Sequence, residues 1–72
     1  MIDGVNISYD KLWKKLDKKN MIKKTLREQS GVTTTVIAKL GKNETVHLEA
    51  LIKICKVLNC NIDDIMEISF SD

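Results

Sequence analysis

The sequence predicts an all-α fold of five helices in a single domain, and two observations carry that prediction. The 72 residues are 43% apolar and 31% charged, with no proline and only three glycines, a composition typical of a compact domain rich in helix. Apolar residues also recur at intervals of three and four along most of the chain. A chain this short builds one core and leaves no room for a cleft between two lobes, so we do not expect an enzyme.

Helix 1 is predicted over residues 9–19, with Ser8 as its N-cap and Asp10 in its first turn. The apolar face of this helix consists of Tyr9, Leu12, Trp13 and Leu16. Because Trp13 shares the spacing of the two leucines, we expect it in the core rather than as a platform for base stacking. The lysines on the other face are explained by solvation alone, although contact with a polyanion is an alternative.

Helix 2 is predicted over residues 23–30, where Leu26 is buried and Gly31 closes the last turn in the left-handed backbone conformation. The stretch that follows, GVTTTVIAKLG, holds six β-branched residues in a row. Propensity alone assigns such a run to a β-strand. Strand alternation, however, would mix polar and apolar residues on both faces, whereas helical spacing separates them.

Helix 3 is therefore predicted from about Thr34 to Leu40, with Thr33 as its N-cap. Ile37 and Leu40 face inward in this interpretation. The residues that face outward are Thr34, Thr35, Ala38 and Lys39. Threonine costs a few tenths of a kcal/mol in a helix, roughly, so exposed threonines here call for an explanation.

Helix 4 is predicted from about His47 to Leu58 as the main core helix. Its broad apolar face comprises Leu48, Leu51, Ile52, Cys55 and Leu58, widened by Ile54 and Val57. A short helix 5 is predicted in NIDDIME, with Asn61 as its cap and with Ile65 and Met66 facing inward. The segments GVNIS and ISFS near the two ends alternate apolar and polar residues, and frayed termini and a two-stranded pairing remain equal alternatives.

Charge is distributed unevenly along the chain. Residues 1–43 carry ten lysines and arginines against four acids, whereas residues 44–72 carry two against six. A basic region of this kind suits a polyanion bound on one face. Cys55 and Cys60 are expected as free thiols, and His47 lacks partners at metal-ligand spacing, so no metal and no cofactor are predicted. Neither a membrane-spanning run nor a signal peptide is apparent, and we expect a cytoplasmic protein.

Helices 2 and 3, joined by a tight turn that contains glycine, form a helix-turn-helix arrangement. The stretch MIKKTLREQSGVTTTVIAKLGKNETVHLEALIKICKVLNCNIDDIM resembles the λ repressor/Cro-type (XRE-like) helix-turn-helix family over about two thirds of the chain. The resemblance rests on Leu26, Gly31, Val32, Ile37 and Leu40, followed by the leucine-rich LIKICKVLNC. It implies a five-helix λ repressor-like DNA-binding domain over residues 1–72, with the motif at about residues 22–42, to which the terminal segments add short β-strands if they pair.

The residues expected to contact DNA are Lys23, Lys24, Thr33, Thr34, Thr35, Lys39, Lys42 and Asn43. The resemblance implies that the threonines and Lys39 read bases and that Lys23 touches phosphate. Threonine suits this role because its hydroxyl donates or accepts and its methyl packs on thymine, and lysine reaches guanine O6 and N7. The other lysines, and backbone amides in the turn around Asn43, are expected to hold the phosphate backbone.

The chain departs from the family pattern at three positions. Arg27 stands where a small alanine is common, so its long stem must point outward. Ile22 replaces a capping serine, threonine or asparagine at the start of helix 2. Lys23 replaces the usual glutamine, and a lysine grips phosphate as a point charge without bidentate geometry.

The leading hypothesis is a sequence-specific, repressor-like transcriptional regulator of bacterial, phage or mobile-element origin. It would bind double-stranded DNA as a homodimer on a palindrome, with no membrane and no small-molecule effector domain in this chain. No dimerisation module is obvious, and the candidate contact surfaces are helix 5 and the termini, including Ile68 and Phe70. The alternative is a protein-interaction module, an antitoxin or adaptor that keeps the fold as a scaffold.

Overall fold

The computed structural model describes residues 3–71. The elements in chain order are strand β1 (Val5–Ser8), helices α1 (Asp10–Lys18), α2 (Lys23–Ser30), α3 (Thr34–Gly41) and α4 (Leu48–Leu58), a 3-10 turn (Ile62–Asp64) and strand β2 (Glu67–Phe70). Within the described residues the domain is thus mostly helical, with four helices and a two-stranded sheet. None of these helices combines the length and the apolar character that crossing a bilayer demands.

One hydrophobic core joins the helices. Its most enclosed side chains are Tyr9, Leu12, Leu26, Leu40, Ile54 and Ile65. Helix α4 supplies more of this core than any other element, with Ala50, Leu51, Ile54, Cys55 and Leu58 buried. The prediction of a main core helix is confirmed. Cys55 and Cys60 are free, and burial, together with the neighbouring Cys60 thiol, raises the pKa of Cys55 to about 11.

The β-branched run is a helix, as predicted. Thr33 has an extended backbone, and its side-chain oxygen accepts a hydrogen bond from the Val36 N–H at 3.3 Å, which fixes it as the N-cap of α3. Leu40 is fully buried, whereas Ile37 and Val36 are half-buried at the edge of the core. Tertiary packing and a cap therefore outweigh the strand propensity of this segment.

The predicted apolar face of α4 was wrong in two members. Leu48 and Ile52 are 60% and 54% exposed. At 100° per residue they lie roughly 120° and 160° around the helix from the fully buried Ile54. The apolar residues of α4 span more of its circumference than the core can cover, and the buried arc runs from Ala50 through Ile54, Leu58 and Leu51 to Cys55. The helix also begins at Leu48, with His47 as its N-cap.

The fifth helix was a wrong prediction, because the segment forms only the 3-10 turn Ile62–Asp64. Asn61 precedes it, and the Asp64 carboxylate accepts a hydrogen bond from the Asn61 N–H at 3.0 Å. Ile65 is buried and Met66 half-buried, as expected for inward residues. Strand β2 (Glu67–Phe70) is extended because it pairs with β1, and it begins too soon after Asn61 for a longer helix to form between them.

Helix α1 begins at Asp10 rather than Tyr9, and its N-cap is Tyr9 rather than Ser8. The Tyr9 side chain is buried, as its place on the predicted apolar face required, and its hydroxyl donates to the Glu44 carbonyl at 2.8 Å. The Tyr9 N–H donates to the side-chain oxygen of Asn43 at 3.2 Å. Burial raises the pKa of the Tyr9 phenol. These contacts attach the start of α1 to the turn between α3 and α4.

The two terminal segments pair as antiparallel strands, which settles the alternatives left open by the sequence. Val5 lies opposite Phe70, and Ile7 lies opposite Ile68. Opposed residues share a face, so the ribbon has an apolar face formed by these two pairs. Ile7 packs against the core and thereby attaches the ribbon to the helices.

Candidate nucleic-acid interface

The N-terminus of α2 is open to solvent. Lys23 and Lys24 are exposed there, and the preceding Ile22 is 64% exposed and provides no side-chain cap. The first N–H groups of a helix have no partners within it and carry partial positive charge. The sequence predicted that Ile22 would not cap this helix. The backbone N–H groups of its first turn therefore lie beside the ammonium groups of Lys23 and Lys24.

The turn between α2 and α3 is fixed by several short-range contacts. Gly31 has φ of 78°, in the left-handed region, and its N–H donates to the Arg27 carbonyl at 3.0 Å. The Ser30 hydroxyl donates to the Leu26 carbonyl at 2.6 Å and accepts from the Val32 N–H at 3.4 Å. Sequence reasoning missed this role of Ser30, although serine near a helix end often bonds to the backbone in this way.

The outer face of α3 carries the side chains that the sequence predicted. Thr34, Thr35 and Lys39 are exposed, and Leu40 holds the opposite side of the helix in the core. The Thr33 hydroxyl is also exposed but acts as a cap acceptor. Within residues 3–71, the hydroxyls of Thr34 and Thr35 have no hydrogen-bond partner, so both their donor and acceptor capacity remain free.

The basic side chains around these helices form no ion pair with the residues that the structure describes. Lys23, Lys24, Lys39 and Lys42 are exposed. In the described part of the chain, the ion pair formed within 4 Å joins Lys53 to Glu49 on α4 at 3.6 Å and involves none of these four. The unpaired charges give this region the positive potential that a phosphate backbone requires.

Trp13 and Lys23 form a contact that the sequence did not reveal. The Lys23 ammonium lies 4.5 Å from the centre of the Trp13 ring, within the range of a cation–π interaction. Trp13 is half-buried and packs at the edge of the core, so its predicted core position is correct only in part. The two residues belong to different helices, and their spacing along the chain gives no signal of the contact.

The turn around Asn43 differs from its predicted role. The N–H groups of Lys42 and Glu44 both donate to the Lys39 carbonyl at 3.0 Å, and the Asn43 N–H donates to the Leu40 carbonyl at 3.3 Å. These amides are thus occupied in ending α3 and are not free to hold a phosphate. The Asn43 side-chain oxygen is occupied by Tyr9, which leaves only its NH₂ group as a free donor.

Comparison with known proteins agrees with this arrangement. A family model described as the Cro/C1-type HTH DNA-binding domain matches residues 11–71. Among solved structures, the crystal structure of the transcriptional regulator VanUg, form II, has a TM-score of 0.89 and 47% sequence identity. The similarity covers 97% of this chain and 93% of that chain. No curated protein matches the sequence.

Proposed function

Because this chain belongs to the Cro/C1-type helix-turn-helix DNA-binding family, we propose that it regulates transcription by inserting α3 into the major groove of an operator. The similarity to a transcriptional regulator over nearly the whole of both chains supports this proposal. The operator is a palindrome bound by a homodimer, and the site of action is the cytoplasm of a bacterium.

The observation that carries the proposal is the free hydroxyl pair of Thr34 and Thr35 next to Lys39 on the outer face of α3. Each base pair presents a distinct pattern of donors, acceptors and methyl groups in the major groove. The two threonines match this pattern with a hydroxyl and a methyl each, and Lys39 reaches guanine or a neighbouring phosphate. A run of β-branched residues is a poor choice for a solvent-facing helix unless that face has a use.

Phosphate contacts position the helix in the groove. We expect the exposed Lys23 and Lys24 at the start of α2 and Lys42 after α3 to contact phosphates beside it, and the open N-terminus of α2 to add amide donors. These contacts fix orientation and carry no sequence information. The stacking of Lys23 on Trp13 supports its role, because it reduces the freedom that the side chain loses on binding.

The experiment is alanine substitution of the outer face of α3. Thr34→Ala, Thr35→Ala and Lys39→Ala are each expected to weaken binding to the selected operator by about 1–3 kcal/mol and to relax specificity at one position. The operator comes from selection among random duplexes, and affinity is measured by fluorescence anisotropy. Since all three side chains are exposed, the free energy of unfolding should change by less than about 0.5 kcal/mol.

Lys23→Ala is the matched control on α2. It should weaken binding to all sequences alike and reduce the dependence of log affinity on log salt by about 0.9, the contribution of one phosphate contact. If the three α3 variants keep full sequence preference while Lys23→Ala abolishes binding, base readout by α3 is contradicted.

A second candidate function is a protein-interaction module, an antitoxin or adaptor, and the exposed Leu48 and Ile52 on α4 favour it. Salt separates the two functions. DNA binding through several lysines weakens steeply as salt rises, whereas an apolar interface on α4 would change little.

A further inference from the structure

Strand β2 has an open edge. Within residues 3–71 it pairs with β1 alone, and all four of its residues are exposed, whereas three of the four in β1 are half-buried. Proteins usually protect such an edge with lysine, proline or a bulge. The sequence EISF contains neither lysine nor proline, its register is continuous, and its one charged residue is Glu67. An edge of this kind is a template for the addition of another strand.

The hydrogen-bonding groups at the open edge belong to Ile68 and Phe70. The Ser71 N–H donates to the Gly4 carbonyl at 2.8 Å, which makes these two a hydrogen-bonded pair across the ribbon. Such pairs alternate along an antiparallel ladder, so Ser69 also directs its N–H and C=O toward β1. Ile68 and Phe70 consequently direct theirs away from β1.

The same two residues carry uncovered apolar side chains. Ile68 shares a face with Ile7 and Phe70 shares it with Val5, because they are opposed in the register. The side chains of Val5 and Ile7 on β1 are half-buried, whereas Ile68 is 51% and Phe70 79% exposed. The domain therefore covers the β1 half of this face and leaves the β2 half open.

We infer that a second copy of this chain pairs with β2, antiparallel, across a two-fold axis at Ser69. Ile68 then lies opposite Phe70 of the second copy and exchanges two backbone hydrogen bonds with it, and the symmetry-related pair exchanges two more. Every outward N–H and C=O of both residues is satisfied. The inference deepens the proposed function, on which it rests for the homodimer, by giving that homodimer an interface.

The properties of β2 favour a second copy as the occupant. A two-fold axis perpendicular to the sheet keeps the apolar faces of both copies on the same side of the four-stranded sheet. Across the strands, Ile7 and Ile68 of one copy are then followed by Phe70 and Val5 of the second copy. The two copies of Glu67 lie at opposite ends of the pairing, and no like charges face each other. A self-complementary edge of this kind makes the same contacts on both subunits, as a two-fold dimer requires.

The interface is small. A stable interface buries roughly 800 Å² per partner, and four residues of one strand provide less than that. The dimer is therefore weak in free solution and is stabilised when two copies occupy adjacent half-sites, because the DNA raises their effective concentration.

Ser69→Cys tests the register in the full-length chain. Ser69 faces its own symmetry mate in a non-hydrogen-bonded pair, where Cα atoms are about 4.5 Å apart, a separation that a disulfide spans. Under mild oxidation without DNA, we expect a covalent dimer on a non-reducing gel. The wild-type chain, run in parallel, reports any cross-linking through Cys55 and Cys60.

Asn6→Cys is the matched control. Asn6 is the ladder partner of Ser69 and lies on the same face of the ribbon, one strand farther from the axis. Its symmetry mate would be about 14 Å away across three strand spacings, too far for a disulfide. If Ser69→Cys gives no more covalent dimer than Asn6→Cys and the wild type, the inference is overturned.

Phe70→Glu and Ile52→Glu provide a second measurement that does not depend on cysteine chemistry. Both residues are exposed, so neither change should unfold the domain, which circular dichroism checks. Sedimentation equilibrium at high protein concentration should give a dimer dissociation constant at least about tenfold higher for Phe70→Glu and unchanged for Ile52→Glu. The reverse pattern would place the interface on α4 and overturn the inference.

DNA binding distinguishes this inference from the proposed function. Phe70→Glu should keep wild-type affinity for a single half-site and lose the added affinity for two half-sites. A chain that cross-links through Ser69→Cys but binds no duplex selectively would refute the proposed function and leave the β2 interface standing. If Phe70→Glu weakens binding to a single half-site as much as binding to two half-sites, the β2 interface is contradicted.

Discussion

Helices α3 and α4 both contain many apolar residues, but they are held in the domain in different ways. Helix α4 buries five residues, whereas α3 fully buries only Leu40 and keeps Val36 and Ile37 at the edge of the core. Since buried apolar area supplies most of the stabilisation of a packed helix, α4 is fixed mainly by burial and α3 is not.

Local backbone contacts at its start compensate for the small buried area of α3. Gly31 closes α2 in the left-handed conformation, Ser30 bonds to the backbone on both sides of the turn, and Thr33 caps the new helix. A helix whose position is fixed by contacts at its N-terminus can leave its outer face free for another molecule. The difference shows how one small domain separates its stabilising helix from its recognition helix.

The substitution expected to have the largest effect on stability is Ile54→Ala on α4. Ile54 is fully buried, so the truncation removes apolar contacts and leaves a cavity. We expect the free energy of unfolding, measured by urea denaturation, to fall by about 2–5 kcal/mol, a large part of the stability of a domain this small.

Ile52→Ala is the matched control on the same helix. Because Ile52 is 54% exposed, the same chemical change should cost less than about 0.5 kcal/mol. Equal costs at the two positions would mean that α4 is not held by a single buried arc, and the contrast with α3 would fail.

The next test is Gly31→Ala in the turn before α3. A methyl group at Gly31 would meet no atom within 4 Å, so any cost comes from the backbone φ of 78° alone. We expect a loss of about 1–2 kcal/mol in the free energy of unfolding. Gly41→Ala is the control with the opposite sign: its φ is not positive, its methyl would also meet open space, and alanine favours a helix by about 0.5–1 kcal/mol.

Periodicity and capping signals were sufficient to predict four helices to within one or two residues, including α3 against its strand propensity. They were also sufficient to predict which threonines face outward, because a fixed rotation per residue places Thr34 and Thr35 opposite Leu40 once the helix is accepted. Those signals are local, and so were the features that they predicted correctly.

The errors came from contacts between distant parts of the chain. The burial of Leu48 and Ile52 depends on how far the core extends around α4, and pairing of β2 with β1 shortened the last helix to a 3-10 turn. The hydrogen bond from the Tyr9 N–H to the Asn43 side-chain oxygen spans 34 positions and was not predicted. No pattern within a window of the sequence reports such a bond, and the stacking of Lys23 on Trp13 is a further case.

The smallest expected effect concerns the cap of α3. Thr33→Ala removes the acceptor of the Val36 N–H and should lower the free energy of unfolding by about 1 kcal/mol, measured by urea denaturation. Thr33→Asn keeps a capping oxygen and should restore most of the loss. Thr35→Ala is the control within the same helix, because Thr35 is exposed and caps nothing, so its removal should leave stability nearly unchanged or slightly higher. If Thr33→Ala and Thr35→Ala are equally stable, the start of α3 is not what holds it, and its position must come from the packing of Leu40 instead.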